Sequence, residues 1–126
     1  MSHVVTVQTK VRDPLALAAA CRRLGLAEPV AGTAQLFASA ATGQIVQLPG
    51  WTYPVVIDTT SGEVRYDNYA GAWGDPKELG KLLQRYAAEK AFLEARRAGH
   101  SIVETALADG SIKLTINVGS NTGGAA

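Results

Sequence analysis

The sequence predicts a small α+β domain, a mainly antiparallel sheet with two helices packed on one face. Three observations carry that expectation. Two amphipathic stretches each open on Asp-Pro and close on Arg-Arg near a glycine. Short alternating apolar runs fill the space between and beside them, and an Asp-Gly turn lies near the C-terminus. A length of 126 residues suits one domain, read as residues 1–118 followed by a tail at residues 119–126. Because two β-α units can cover one sheet face, a ferredoxin-like arrangement is among the expected forms.

The first run, His3 to Val11, sets Val5, Val7 and Val11 on one side and Thr6, Gln8 and Lys10 on the other, as a half-buried strand does. Asp13 and Pro14 then supply a cap and a first helical residue. Leu17, Ala20, Cys21 and Leu24 line one face, Arg22 and Arg23 complement the dipole, and Gly25 ends the helix. Leu26 to Gly32 reads as a loop. Two apolar runs, AQLFA and QIVQL, flank Ala41-Thr42-Gly43, which is taken as the turn of a hairpin. YPVVIDT and EVRYDNY around Thr60-Ser61-Gly62 form a second hairpin.

The longest helical pattern runs from Asp75 to Gly99. Leu79, Leu82, Leu83, Tyr86 and Leu93 recur at helical spacing, Asp75 and Glu78 suggest a capping box, and Gly80 weakens the early turns. His100 to Ala108 and Ser111 to Val118 make a last hairpin about Asp109-Gly110, with Ile112, Leu114, Ile116 and Val118 facing a core. The expected order is βαββββαβ, or the same with one further strand. The outer sheet face carries Thr, Gln, Lys and Asn, which suits water or a polar partner.

With 47% hydrophobic and 18% charged residues the chain has the balance of a globular protein. No apolar run reaches the length of a membrane span and the N-terminus lacks the layout of a signal peptide, so no membrane partner and a cytoplasmic location are expected. Cys21 is the only cysteine, which excludes an intrachain disulfide and suits a small buried residue. A net charge of +1 gives no field to attract a polyanion, which argues against nucleic acid. Lys10, Arg12, Arg22 and Arg23, and Lys90, Arg96 and Arg97, could form basic clusters, but Glu28, Glu78, Glu89 and Glu94 interrupt them. Phosphate-loop, dinucleotide, nucleophile-elbow and paired-cysteine zinc motifs are absent from the sequence, so no catalytic residue, cofactor or metal is assigned.

The candidate binding residues are Trp51, Tyr53, Tyr66, Asp67, Asn68, Tyr69 and Trp73. Aromatic rings with polar tips, set beside an acid and an amide, suit a recognition surface. The simpler account is that Trp51, Tyr66 and Trp73 close the end of the core where strand turns into helix, with Asn68 and Gly71 permitting the loop. His3 and His100 could each pair with Asp58 or Asp67, yet their spacing matches no ligand motif.

Met1-Ser2-His3, Lys10-Val11-Arg12-Asp13, Gln84-Arg85-Tyr86-Ala87 and the closing GHSIVETALADGSIKLTINV resemble the plastid and cyanobacterial family called hypothetical chloroplast reading frame thirty-five, a domain of unknown function. The resemblance covers both terminal thirds, whereas TAQLFASAATGQ and the Gly-rich tail depart from it. It implies a small protein with no catalytic residues to carry over. Some bacterial members are encoded near ATPase genes, which implies an ATPase as a conceivable partner. From the compact fold and the lack of a recognisable catalytic set, the expected function is a noncatalytic interaction or accessory protein that binds a protein partner or self-associates. The alternatives are a small-molecule enzyme with a pocket near Asp67, Asn68 and His100, and a single-stranded nucleic-acid binder.

Overall fold

The structure is a computed structural model describing residues 4–118; His3 and the tail expected at residues 119–126 lie outside the described residues. The elements run β1 (Val5–Gln8), α1 (Pro14–Arg23), β2 (Val30–Gln35), β3 (Ala40–Val46), β4 (Val55–Asp58), β5 (Glu63–Tyr66), a 3-10 turn (Tyr69–Gly71), α2 (Pro76–Arg97), β6 (Ser101–Ala106) and β7 (Ile112–Asn117). The class is α+β, and the chain divides into two compact units, Met1–Tyr86 and Ala87–Ala126.

The first unit holds a five-stranded sheet in the order β1-β5-β4-β3-β2, with every neighbouring pair antiparallel. β2 to β5 form a meander, and β1 joins its far edge against β5. In a ferredoxin-like sheet the strand after the second helix enters the same sheet. Here β6 pairs with β7 in a separate hairpin, which corrects that expectation.

Register assigns the two faces of the sheet. Val7, Val64, Ile57, Val55 and Val46 share one face, and all but Val7 are buried. Leu17, Ala20 and Cys21 of α1 and Leu79, Leu82 and Tyr86 of α2 are buried too, each on the apolar stripe that helical spacing defines. The opposite face was expected to be wet. Instead Val56, Ala41 and Leu36 are buried there, with Ala34, Ile45 and Tyr53 packed against them. The sheet is thus apolar on both faces at its centre.

The hairpin turn expected at Ala41-Thr42-Gly43 lies earlier, between Gln35 and Ala40. The Leu36 N–H donates to the Ser39 carbonyl at 2.7 Å, and the Gln35 side chain braces the Leu36 and Ser39 carbonyls at 2.8 and 3.1 Å. Val30 to Gly32, read as loop, belong to β2. Gly43 sits inside β3, where a Cβ would stand 2.6 Å from the Ile57 carbonyl oxygen. Glycine is there because a neighbouring backbone approaches closely, not because the chain reverses.

The helix ends follow local rules. The Asp13 carboxylate accepts from the N–H groups of Leu15 and Ala16, at 3.0 and 3.4 Å, and Asp75 accepts from Lys77 N–H at 2.9 Å. Glu78 does not complete a capping box; its carboxylate meets Lys81 at 3.1 Å instead. Both helices finish alike, with Leu26 N–H reaching the Cys21 carbonyl and His100 N–H reaching the Ala95 carbonyl, each at 2.8 Å. The Tyr86 hydroxyl accepts from the N–H groups of Arg12 and Asp13 at 3.2 and 3.1 Å, tying α2 to the entry of α1.

Cys21 is buried, and burial pushes its thiol from 9.0 up to about 11, against a smaller lowering by the Arg22 charge. The raised value favours the neutral thiol in the folded state. The stability this contributes is complete below pH 9.0 and is lost as pH rises toward about 11. The denaturation midpoint should therefore fall more steeply across that window than in Cys21→Ala, as urea titrations at successive pH values will read. An equal fall in both proteins would remove Cys21 as the cause.

The second unit contains the later turns of α2, with a Lys90–Glu94 ion pair at 2.9 Å, and the β6–β7 hairpin. The hairpin turns through Ala108-Asp109-Gly110, closed by Leu107 N–H to the Ser111 carbonyl at 2.9 Å and Gly110 N–H to the Leu107 carbonyl at 3.0 Å. This is a three-residue loop with a bulged glycine rather than a two-residue turn. The Ser111 hydroxyl and N–H hold the exposed Asp109 carboxyl below its usual value. Ile112 and Leu114 are half-buried as expected, but Ile116 and Val118 are exposed.

Candidate functional site

The segment from Asp67 to Asp75 connects β5 to α2, and one side chain organises it. The Asn68 side-chain amide donates to the Gly74 carbonyl at 3.1 Å, while the Asn68 backbone carbonyl accepts from Gly71 and Trp73 N–H at 3.0 and 2.9 Å. The loop is thereby drawn into a closed turn, with Thr52 N–H bonding the Trp73 carbonyl at 2.8 Å. Tyr69 and Ala70 take left-handed conformations, φ 50° and 53°. A bulky side chain rarely does so, and each such residue costs about 1–3 kcal/mol that surrounding contacts must offset. Part of that offset is visible: the Tyr69 N–H donates to the Asp67 carboxylate at 3.2 Å, and the Tyr69 ring stacks on Trp73, centroids 4.7 Å apart and planes 21° apart.

Trp73 is the hub of a cluster. Tyr53 meets it edge-on at 5.7 Å, Phe37 lies tilted at 5.2 Å, and Phe37 and Tyr53 touch at 6.4 Å. Phe37 is 55% exposed and Tyr69 is 41% exposed, so two of the four rings present substantial area to solvent. Tyr53 also packs on the Leu36, Ala41 and Val56 cluster, which seats the rings on the second sheet face. The arrangement is a filled platform. Its rings already touch one another, so it suits a partner laid across it rather than an ion held between ring faces.

The seven residues expected to form the site fall into three groups. Tyr53, Tyr69 and Trp73 come together in this cluster. Trp51 and Tyr66 instead contact each other, T-shaped at 5.4 Å, with Trp51 buried and its ring N–H donating to the Asp75 carbonyl at 3.0 Å. They lie beside the α2 cap; the simpler account groups Trp73 with them, whereas Trp73 contacts Phe37, Tyr53 and Tyr69. Asp67 and Asn68 are buried scaffold, and Asp67 Oδ2 is a buried oxygen with no hydrogen-bond donor. Phe37 is the member that sequence reasoning missed; its only signal was a large apolar residue beside turn-forming Ala38-Ser39.

Asp67 and Asn68 belong to the first unit and His100 to the second. Around His100, a hollow of about 320 Å³ is lined by Phe92, Ala95, Arg96, Ser101 and Ile102. Among the described residues no group of three or more His, Cys, Asp or Glu side chains could hold a metal ion, and no helix is long and apolar enough to cross a membrane. No protein-family model, curated protein or solved structure matches the chain.

Proposed function

We propose that this protein is a noncatalytic interaction module and that Phe37, Tyr53, Tyr69 and Trp73 form the surface a protein partner binds. The observation that carries this reading is the pairing of exposed aromatic area with a strained backbone. Tyr69 and Ala70 are kept left-handed by a buried amide and a buried carboxylate, so the rings are presented in one arrangement before any partner arrives. Preorganised aromatic anchors lose little conformational entropy on binding, which is why such rings dominate interface energies. A net charge of +1 favours a protein over a polyanion. The family resemblance makes an ATPase the first partner to try.

The test is capture of a partner from the protein's own cells by gentle isolation and native mass spectrometry, followed by affinity measurement with variants. Trp73→Ala, which removes the hub, should weaken that complex by at least about tenfold, as loss of a hot-spot aromatic does. A double Arg22→Ala, Arg23→Ala variant should leave it unchanged. Unaltered affinity in Trp73→Ala would reject the surface, and affinity that tracks the arginines and falls with salt would favour the nucleic-acid alternative.

A further inference from the structure

We propose that β7 pairs antiparallel with the β7 of a second copy across a two-fold axis at Thr115, making a four-stranded sheet from two hairpins. The proposal concerns the second unit alone and is independent of the aromatic surface.

The hairpin is a two-stranded sheet whose strands pair only with each other among the described residues. Such a ribbon is marginal in water when isolated, and further strands or a packed helix stabilise it. Its closing bond, Leu107 N–H to the Ser111 carbonyl, fixes which backbone groups face inward. Alternation down the antiparallel ladder then turns Ala106, Glu104 and Ile102 outward on β6, and Ile112, Leu114 and Ile116 outward on β7. Each edge therefore offers a row of backbone donors and acceptors.

The two edges differ in composition. Natural edge strands are blunted by charge, proline or a bulge. Each strand has one charged side chain, Glu104 on β6 and Lys113 on β7, but the residues of β7 whose backbone groups face outward, Ile112, Leu114 and Ile116, are all apolar, whereas those of β6 include Glu104. On the same face Ile116 is 51% exposed and Val118 is 77% exposed.

The occupant is identified by self-complementarity. With the axis at Thr115, Leu114 meets Ile116 of the other copy and Ile112 meets its Val118, so each exposed Ile116 and Val118 gains an apolar neighbour. On the other face Lys113 meets Asn117 and Thr115 meets Thr115, so no like charges are opposed. An axis at Lys113 would set lysine against lysine. Leu114 and Ile116 supply the outward backbone groups, so the pairing satisfies two sets of unpaired donors and acceptors at once. Pairing along a single short strand is a small contact compared with a standard interface, which buries about 1,200 Å² or more, so the dimer forms at high protein concentration.

The experiment is a concentration series by light scattering and native mass spectrometry, joined to cross-linking with diamide as oxidant. In this register the two Thr115 residues form a non-hydrogen-bonded pair with Cβ atoms about 5 Å apart, close enough for a disulfide after small adjustment. Thr115→Cys should give a covalent dimer. Lys113→Cys, whose two copies lie four positions out of register, should not, and neither should the wild type, because Cys21 is buried. Ile116→Pro removes one outward N–H and should raise the concentration for half-dimerisation at least about tenfold. A monomer at every concentration overturns the proposal. So does a dimer that Thr115→Cys fails to trap, or one that Lys113→Cys traps equally well. The wild-type series and the cysteine pair decide the matter even if Ile116→Pro does not fold.

Discussion

Gly74→Ala is expected to lower the stability of the first unit by about 3 kcal/mol, the upper end of what overpacking a core costs. A Cβ at this position would lie 2.6 Å from Cε2 and Cγ of Trp51 and closer still to Cδ2. The obstacle is the face of a fused ring, not the free end of a flexible chain. Nor can the indole withdraw: its N–H is bonded to the Asp75 carbonyl, Tyr66 stands against it, and the Trp51 carbonyl accepts from Gln47 at 2.8 Å. Moving Gly74 instead would strain the Asn68 bond that closes the aromatic loop. Urea denaturation should therefore show a lower midpoint with an unchanged slope. Gly80→Ala is the control, since nothing lies within 4 Å of a Cβ there and the residue is in an exposed part of α2. It should stabilise by up to about 1 kcal/mol, the helix-propensity difference. Equal small effects from both substitutions would mean that Trp51 is not held as the structure places it.

Capping was legible because it is local. Asp13, Asp75, Gly25 and Gly99 mark the helix ends within a residue or two of where the hydrogen bonds put them. Alternation located the strands for the same reason. What it could not give was pairing, because β1 finds its partner in β5, with Val5 opposite Tyr66 far along the chain. Gly43 shows the limit most clearly: a glycine between apolar runs reads as a turn, yet its reason is the Ile57 carbonyl on another strand. Misplacing that turn also hid the second core, since Leu36, Ala41 and Val56 share a face only once the register is known. The site was half legible for a related reason. Tyr53, Tyr69 and Trp73 stood out by composition, whereas Phe37 reaches them through the hairpin turn and Trp51 and Tyr66 form a separate contact in the core.

Leu36→Ala is expected to cost about 2–5 kcal/mol and to loosen the aromatic platform along with the fold. Leu36 is fully buried at the turn between β2 and β3, and the cluster around it is small. Its neighbours Ala34 and Ala41 are too short to fill the space, and Val56 and Ile45 are held in strand register, so the cavity persists and the cost stays well above the simple loss of apolar transfer. Phe37 follows directly in the chain, and Tyr53 packs on the same cluster while touching Trp73. The change should therefore appear twice: as a lower urea midpoint, and as altered Trp73 fluorescence under conditions where the variant is still folded. A Trp51→Phe background isolates that signal, since the chain has two tryptophans. If the midpoint falls and Trp73 emission stays fixed, the second core supports the sheet alone, and the Asn68-closed loop is sufficient to hold the rings. If both move together, the platform inherits its order from the sheet face beneath it. A loss below about 1 kcal/mol would show that this face collapses around the missing side chain and is not a packed core.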